Sequence, residues 1–215
     1  MSELHEPFEY FLTEATHLGQ KYRTVNDLFL CGPEIHDSMD KLAPDFFIEI
    51  YMVYRDSIFM NIARICDSER DRIGNKNISI AYWFENLKRL DLVNDELASC
   101  RSDLMQACNV EALREYRHKR LAHADLKTAL ERVEYTIPDW HAVHRFVTAL
   151  ERFSHLVADK IGFAPPFSIF LRNGNRHAEL FRLFLAAADN LDLELSAKEK
   201  LFATIGNVSP PKLAG

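Results

Sequence analysis

PFEYFLTEATHLGQKYRTVNDLFL, residues 7–30, repeats an apolar side chain every three or four positions: Phe8, Phe11, Leu12, Ala15, Leu18, Tyr22, Val25 and Phe29. That period matches the 3.6-residue turn of an α-helix, so the segment predicts a long helix with one buried stripe. Cys31, Gly32 and Pro33 stop it, because glycine tolerates a left-handed turn and proline cannot continue the ladder. A short connecting stretch then leads to Pro44 and Asp45.

The strongest apolar segment follows. Phe46, Phe47, Ile50, Tyr51, Val53, Tyr54, Ile58, Phe59, Ile62, Ala63, Ile65 and Cys66 cover more than one face, which predicts a central helix packed on several sides. Charged residues 67–72 and the pair Gly74–Asn75 mark a loop after it. A third helix is expected over residues 79–92, carrying Ile80, Trp83, Phe84, Leu87 and Leu90, with Tyr82, Trp83 and Phe84 read as core rather than a base-stacking platform. A fourth should start at Asp95 or Ser102, run to Ala124 and break near Asn109. A fifth should start at Pro138 and Asp139, with the stripe Val143, Phe146, Val147, Leu150, Phe153, Leu156, Val157 and Ile161.

These elements make an all-α, up-and-down antiparallel bundle of four to five core helices over residues 1–164. Residues 165–215 read as a C-terminal extension: Pro165 and Pro166 end the bundle, a helix is expected over 178–188, and the last residues form a loose tail. Only 7 glycines and 8 prolines in 215 residues leave little material for the turns of an all-β fold. No run nears the roughly 20 apolar residues that span a bilayer, and the acidic N-terminus has no leader-like apolar core. Cys31, Cys66, Cys100 and Cys108 are widely spaced and read as reduced thiols, so a cytoplasmic protein without membrane, metal or cofactor is expected.

A formal net charge of −6 argues against nucleic acid binding over the whole surface, which directs attention to local concentrations of positive charge. Residues 114–123 hold Arg114, Arg117, Lys119 and Arg120, with His118 and His123, against the single acid Glu115. Arg117 continues the apolar line of Val110 and Leu113 towards Leu121, so its guanidinium must meet a cleft, an interface or a buried partner. His123 lies six residues further on, roughly 120° round a straight helix. The two share a site only if the helix bends or two subunits meet.

Such a pair suits metal-free RNA cleavage. A histidine near its ordinary pKa exchanges protons with the ribose 2′-hydroxyl or the leaving 5′-oxygen. An arginine offers permanently charged donors to the phosphate. The bland readings are a core-edge ion pair for Arg117 and a helix-end histidine for His123. Arg64 and Asp67, at i and i+3, either pair, cap a helix end or assist Arg117. His141 and His144 share that spacing but lack a third ligand nearby in sequence, so they do not predict a metal site.

The run from Tyr116 to Asp125 resembles the R-x(4–6)-H signature of the HEPN superfamily, and specifically AbiU2-type proteins of bacterial abortive infection. Ile62 to Asp67, followed by Asn75 to Ile80, is similar to the same subgroup. The resemblance spans about residues 5–162. It implies a HEPN bundle, usually a homodimer, with Arg117 and His123 as the ribonuclease pair and His118 as the polar neighbour. Arg114, His118, Lys119 and Arg120 are then candidate contacts to single-stranded RNA, with Arg64 and Asp67 as accessory residues. It also implies a role in phage defence or a toxin-like system, with an antitoxin or defence protein as partner; the alternative is a non-catalytic module that binds RNA or protein. His118 stands where such proteins often have Asn or Asp. Asp125 replaces the tyrosine that some HEPN toxins use for silencing by nucleotidylation.

Overall fold

The computed structural model describes residues 2–30, 32–117, 138–164 and Leu183. A 3-10 turn, Ser2–Leu4, leads into α1 (His5–Phe29), followed by α2 (Pro33–Leu42), α3 (Pro44–Ile65), α4 (Ile80–Arg89), α5 (Asp95–Ala107), α6 (Val110–Tyr116) and α7 (Trp140–Ile161). No strand occurs among the described residues, and the protein is an all-α bundle. No helix among them is long and apolar enough to cross a membrane.

The predicted stripe of α1 is buried at Phe8, Phe11, Leu12, Ala15, Leu18 and Val25. Pro7 sits in its first turn, where the missing N–H costs nothing because those donors have no intrahelical acceptor. The connecting stretch expected after Gly32 is instead helix α2. Gly32 takes φ 128°, and Pro33 then begins a new helix, its fixed φ suited to the first position. Met39 is the buried apolar side chain of this short element, beside the buried Ser38, with Ile35 and Leu42 packed partly against the core.

Three helices start on a side-chain cap at the predicted boundary. Ser79 Oγ accepts from Tyr82 N, Asn109 Oδ1 from Ala112 N, and Asp139 Oδ1 from Ala142 N. Asn94 caps α5 in the same way through Leu97 N. Each such cap contributes about 1 kcal/mol. Because Asp139 is the cap, Pro138 lies just outside α7 rather than in its first turn. Gly162 (φ 66°) closes α7, and Phe163 N reaches back to Ala158 O.

Named contacts set the directions. α5 runs antiparallel to α7, with Glu96 beside Arg152, Cys100 beside Ala149 and Cys108 beside Ala142. α1 runs antiparallel to both α7 (Phe8 with Phe163, Phe11 with Phe153, Tyr22 with Trp140) and α3 (Glu14 with Arg64, Lys21 with Ser57, Phe29 with Tyr51). Trp83 of α4 plugs the centre, edge-on to Phe8 at 5.1 Å.

α3 is central only in its second half. Ile58, Phe59, Ile62, Ala63 and Ile65 are buried, whereas Phe46, Ile48 and Val53 are more than half exposed. The first half touches the fold mainly through Phe47 and the partly buried Ile50 and Tyr51.

Cys66, Cys100 and Cys108 are buried free thiols; Cys31 lies outside the described residues. Burial is the main cause that pushes Cys100 up to about 11 and Cys108 to about 12. The folded chain therefore holds these thiols protonated while the unfolded chain ionises them near pH 8.5. Their contribution to stability is complete below that pH and is lost as pH rises towards the folded values. The expected result is a fall in urea midpoint above about pH 9, partly relieved in Cys108→Ala once its lower pH 7 midpoint is subtracted. Equal losses in wild type and variant would rule the thiols out as the cause.

Candidate functional site

The break at Cys108 and Asn109 makes the site. Had α5 continued straight, Arg114 to Arg117 would have followed α7. Cys108 is extended (φ −126°, ψ 146°), Asn109 caps a new helix, and α6 turns onto the C-terminal half of α3. The predicted interruption near Asn109 is thus what carries the basic segment to the place where α3 ends.

Leu113 is fully buried, and Arg117, one turn later, is half-buried with 29% of its side chain exposed. The position on an apolar line predicted a cleft, an interface or a buried partner for its charge. Arg117 Nη1 lies 2.7 Å from Asp67 Oδ2, at the end of α3. Arg114 Nε approaches the other oxygen of that carboxylate at 3.8 Å, and its Nη2 donates to the Cys66 carbonyl at 2.6 Å. Its Nη1 donates to Glu111 at 2.5 Å.

Two guanidinium groups therefore share the Asp67 carboxylate, and Glu111 at the exposed rim balances the second charge. Arg114 has its donors spread over three acceptors and serves as a brace between α6 and the α3 terminus. Arg117 makes one named bond among the described residues, and a guanidinium has five N–H donors in a fixed fork. Its orientation is held by Asp67 while part of its side chain stays exposed. That arrangement can receive a phosphate oxygen.

Beside this cluster is a network the sequence reading missed. Tyr116 Oη donates to Asp56 Oδ1 at 2.8 Å, and Arg55 donates to the same carboxylate oxygen at 2.8 and 3.0 Å and to Tyr116 Oη at 3.2 Å. Tyr116 also lies edge-on to Phe59. Burial opposes the charge of Arg55, but the bonds from Asp56 and Tyr116 outweigh it and raise its pKa. The network clamps α6 to α3 through the residue next to Arg117. No sequence signal links Asp56 to Tyr116, because sixty residues separate them.

Of the two accessory candidates, the fold brings Asp67 to Arg117 and turns Arg64 elsewhere. No ion pair joins the Arg64 side chain to Asp67; it lies 3.7 Å from Glu14 of α1, half exposed. The i, i+3 pairing is absent because Asp67 falls past the last turn of α3, and only its backbone N–H returns to the Arg64 carbonyl. His118, Lys119, Arg120 and His123 lie outside the described residues, and the described geometry covers Arg114, Arg117, Arg64 and Asp67. Trp83 is fully buried and Tyr82 nearly so, as core. The His144 ring lies tilted against Tyr22 at 5.8 Å, and no group of three metal-ligating side chains gathers among the described residues.

Comparison with curated proteins and with solved structures gives no match. The family model for AbiU2 of the HEPN type matches residues 1–181, which include the whole Arg64–Asp67 and Arg114–His123 constellation. The chain belongs to the HEPN AbiU2 family.

Proposed function

We propose that this protein is a metal-independent endoribonuclease of the HEPN class, acting as a homodimer in a bacterial phage-defence or toxin-like system. The observation that carries the reading is Arg117, anchored through one edge by Asp67 at 2.7 Å while its side chain still reaches solvent. A guanidinium held in this way is preorganised for a phosphate whose charge rises in the transition state.

In the reaction, the ribose 2′-oxygen bonds to phosphorus and the bond to the 5′-oxygen breaks, leaving a 2′,3′-cyclic phosphate and a 5′-hydroxyl. His123 takes the 2′ proton or supplies one to the leaving oxygen. Arg117 donates to a non-bridging oxygen. His118, Lys119 and Arg120 hold the flanking backbone, Arg114 braces α6 on the end of α3, and Asp67 orients Arg117. The six-residue step from Arg117 to His123 puts them roughly 120° apart on a straight helix, which favours a cleft where the segments of two subunits meet.

The test is single-stranded RNA incubated with wild type and His123→Ala in the presence of chelator. Cleavage by the wild type alone, with cyclic phosphate ends, is the expected result. Equal cleavage by both proteins would sink the assignment.

The second reading, a non-catalytic RNA-binding module, is favoured by the same Asp67 contact, since an arginine already paired within its own subunit has lost part of its pull on a ligand. That module would bind RNA with strong salt dependence, weaken on Arg117→Ala, and leave the RNA intact.

A further inference from the structure

The residues that follow Asp67 form a stiff, cationic loop beside the site. In residues 68–77, Arg70 and Lys76 face each other as an antiparallel bridged pair. Asp71 N donates to Asn75 O at 2.9 Å and Asn77 N to Glu69 O at 2.8 Å. Gly74 takes φ 92°, a conformation that side chains rarely adopt, to let the chain reverse. The exposed Asp71 carboxylate accepts from Ile73 N, Asn75 N and Asn75 Nδ2 at 2.8 to 3.0 Å. Asn77 Nδ2 ties the base of the loop to Ser68 O. This is a preorganised element.

Its charges are arranged outward. Glu69 is neutralised by Arg89 of α4 at 2.8 Å, so three cations stand against the one carboxylate of Asp71, which the loop's own N–H groups hold ionised. Arg70, Arg72 and Lys76 are exposed, and none of the three has an acidic partner among the described residues. Arg70 donates only to the Gly74 carbonyl, at 3.3 Å. Like charges directly opposite each other across two strands are destabilising, yet Arg70 and Lys76 stand so here. An anion placed between them reverses that cost. At the tip Ile73 is 83% exposed, an apolar side chain among cations.

The position adds the partner. The loop departs from Asp67, the residue that holds Arg117, so the Cα atoms of Arg70 and Arg72 lie within about 11 Å and 18 Å of that of Asp67 even if the chain were extended. A strand with one phosphate at Arg117 therefore passes within reach of the loop's long side chains. A linear polyanion with apolar base faces matches both the row of cations and the exposed isoleucine.

We infer that residues 68–77 form an arm that grips the phosphate backbone of single-stranded RNA flanking the Arg117 site, through Arg70, Arg72 and Lys76, with Ile73 against a base. The inference rests on reading the bundle as RNA-directed. The arm adds grip and reach, and takes no part in bond breaking.

The test uses a labelled 20-nucleotide 2′-O-methyl oligouridylate, which lacks the attacking hydroxyl, titrated by anisotropy between 50 and 200 mM salt. Neutralising all three cations (Arg70→Gln, Arg72→Gln, Lys76→Gln) is expected to flatten the plot of log affinity against log salt by about 2, from roughly 0.7 per contact on a single strand. Lys76→Gln alone should remove about 0.7 and, by relieving the opposed pair, leave the melting temperature unchanged or raise it by about 1–2 °C. Cleavage of the dinucleotide UpA, too short to reach the arm, stays at the wild-type rate in both variants.

An unchanged salt slope in the triple variant, with wild-type binding intact, overturns the arm and points its cations at a protein partner; UpA cleavage then still stands for the site. If wild type neither binds the oligonucleotide nor cuts UpA, the RNA reading itself fails and the arm falls with it.

Discussion

Arg117→Ala is expected to slow cleavage of single-stranded RNA by about 10²- to 10³-fold, the usual cost of deleting one preorganised donor from developing negative charge. His123→Ala should cost about 10²- to 10⁴-fold, in the range of general acid–base catalysis. Both are read from end-labelled RNA resolved on a gel with chelator present. Arg117→Lys restores little, because an ammonium lacks the planar fork that bonds Asp67 on one edge and a phosphate on the other. Asp67→Asn tests the positioning role: shape is kept, the charge that anchors Arg117 is lost, and the rate should fall between wild type and Arg117→Ala. The two side chains are 29% and 25% exposed, so solvent screening limits the pair's share of stability and the melting temperature should fall only modestly. An Arg117→Ala protein that cuts at the wild-type rate would reduce the Asp67 contact to a structural ion pair.

The largest effect on stability should come from Trp83→Ala. This side chain is fully buried and meets Phe8 at 5.1 Å, Tyr82 at 5.3 Å and Phe11 at 6.2 Å, so it joins α4 to α1. Truncation leaves a cavity that the surrounding rings cannot fill, at about 3–5 kcal/mol. For a chain of this size that lowers the melting temperature by about 10 °C or more. Trp83→Phe keeps an aromatic edge towards Phe8 and removes an indole N–H that meets no protein acceptor among the described residues, so it should cost a fraction of that. Urea unfolding of the three proteins gives the comparison. RNA cleavage by Trp83→Phe, measured well below its melting temperature, should match wild type, because α4 contributes no residue to the Arg117 cluster. A Trp83→Ala loss below about 1 kcal/mol would mean that α4 packs elsewhere.

Much of the architecture was legible because helices bury stripes. The i, i+3, i+4 pattern of Phe8 to Phe29 and of Val143 to Ile161 specified α1 and α7, and Ser79, Asn109 and Asp139 marked where helices begin. α2 escaped because a ten-residue, mostly polar helix with one buried apolar side chain, Met39, leaves almost no periodic signal. The exposed first half of α3 escaped for the opposite reason: Phe46 and Val53 look like core in any one-dimensional reading.

The basic segment itself was determined by sequence alone: its charge, its place on an apolar line and the break at Asn109 are local properties of the chain. Proximity was decided by the tertiary fold. Asp67 meets Arg117 across fifty residues, and Asp56 meets Tyr116 across sixty, because α6 turns away from α7 onto the end of α3. Local periodicity records which face of a helix avoids water, and it carries no term for the face it will meet. Arg117 had to find a partner because a guanidinium on a buried line costs too much without one; that the partner is Asp67 rather than Arg64's neighbour Glu14 is a fact of packing.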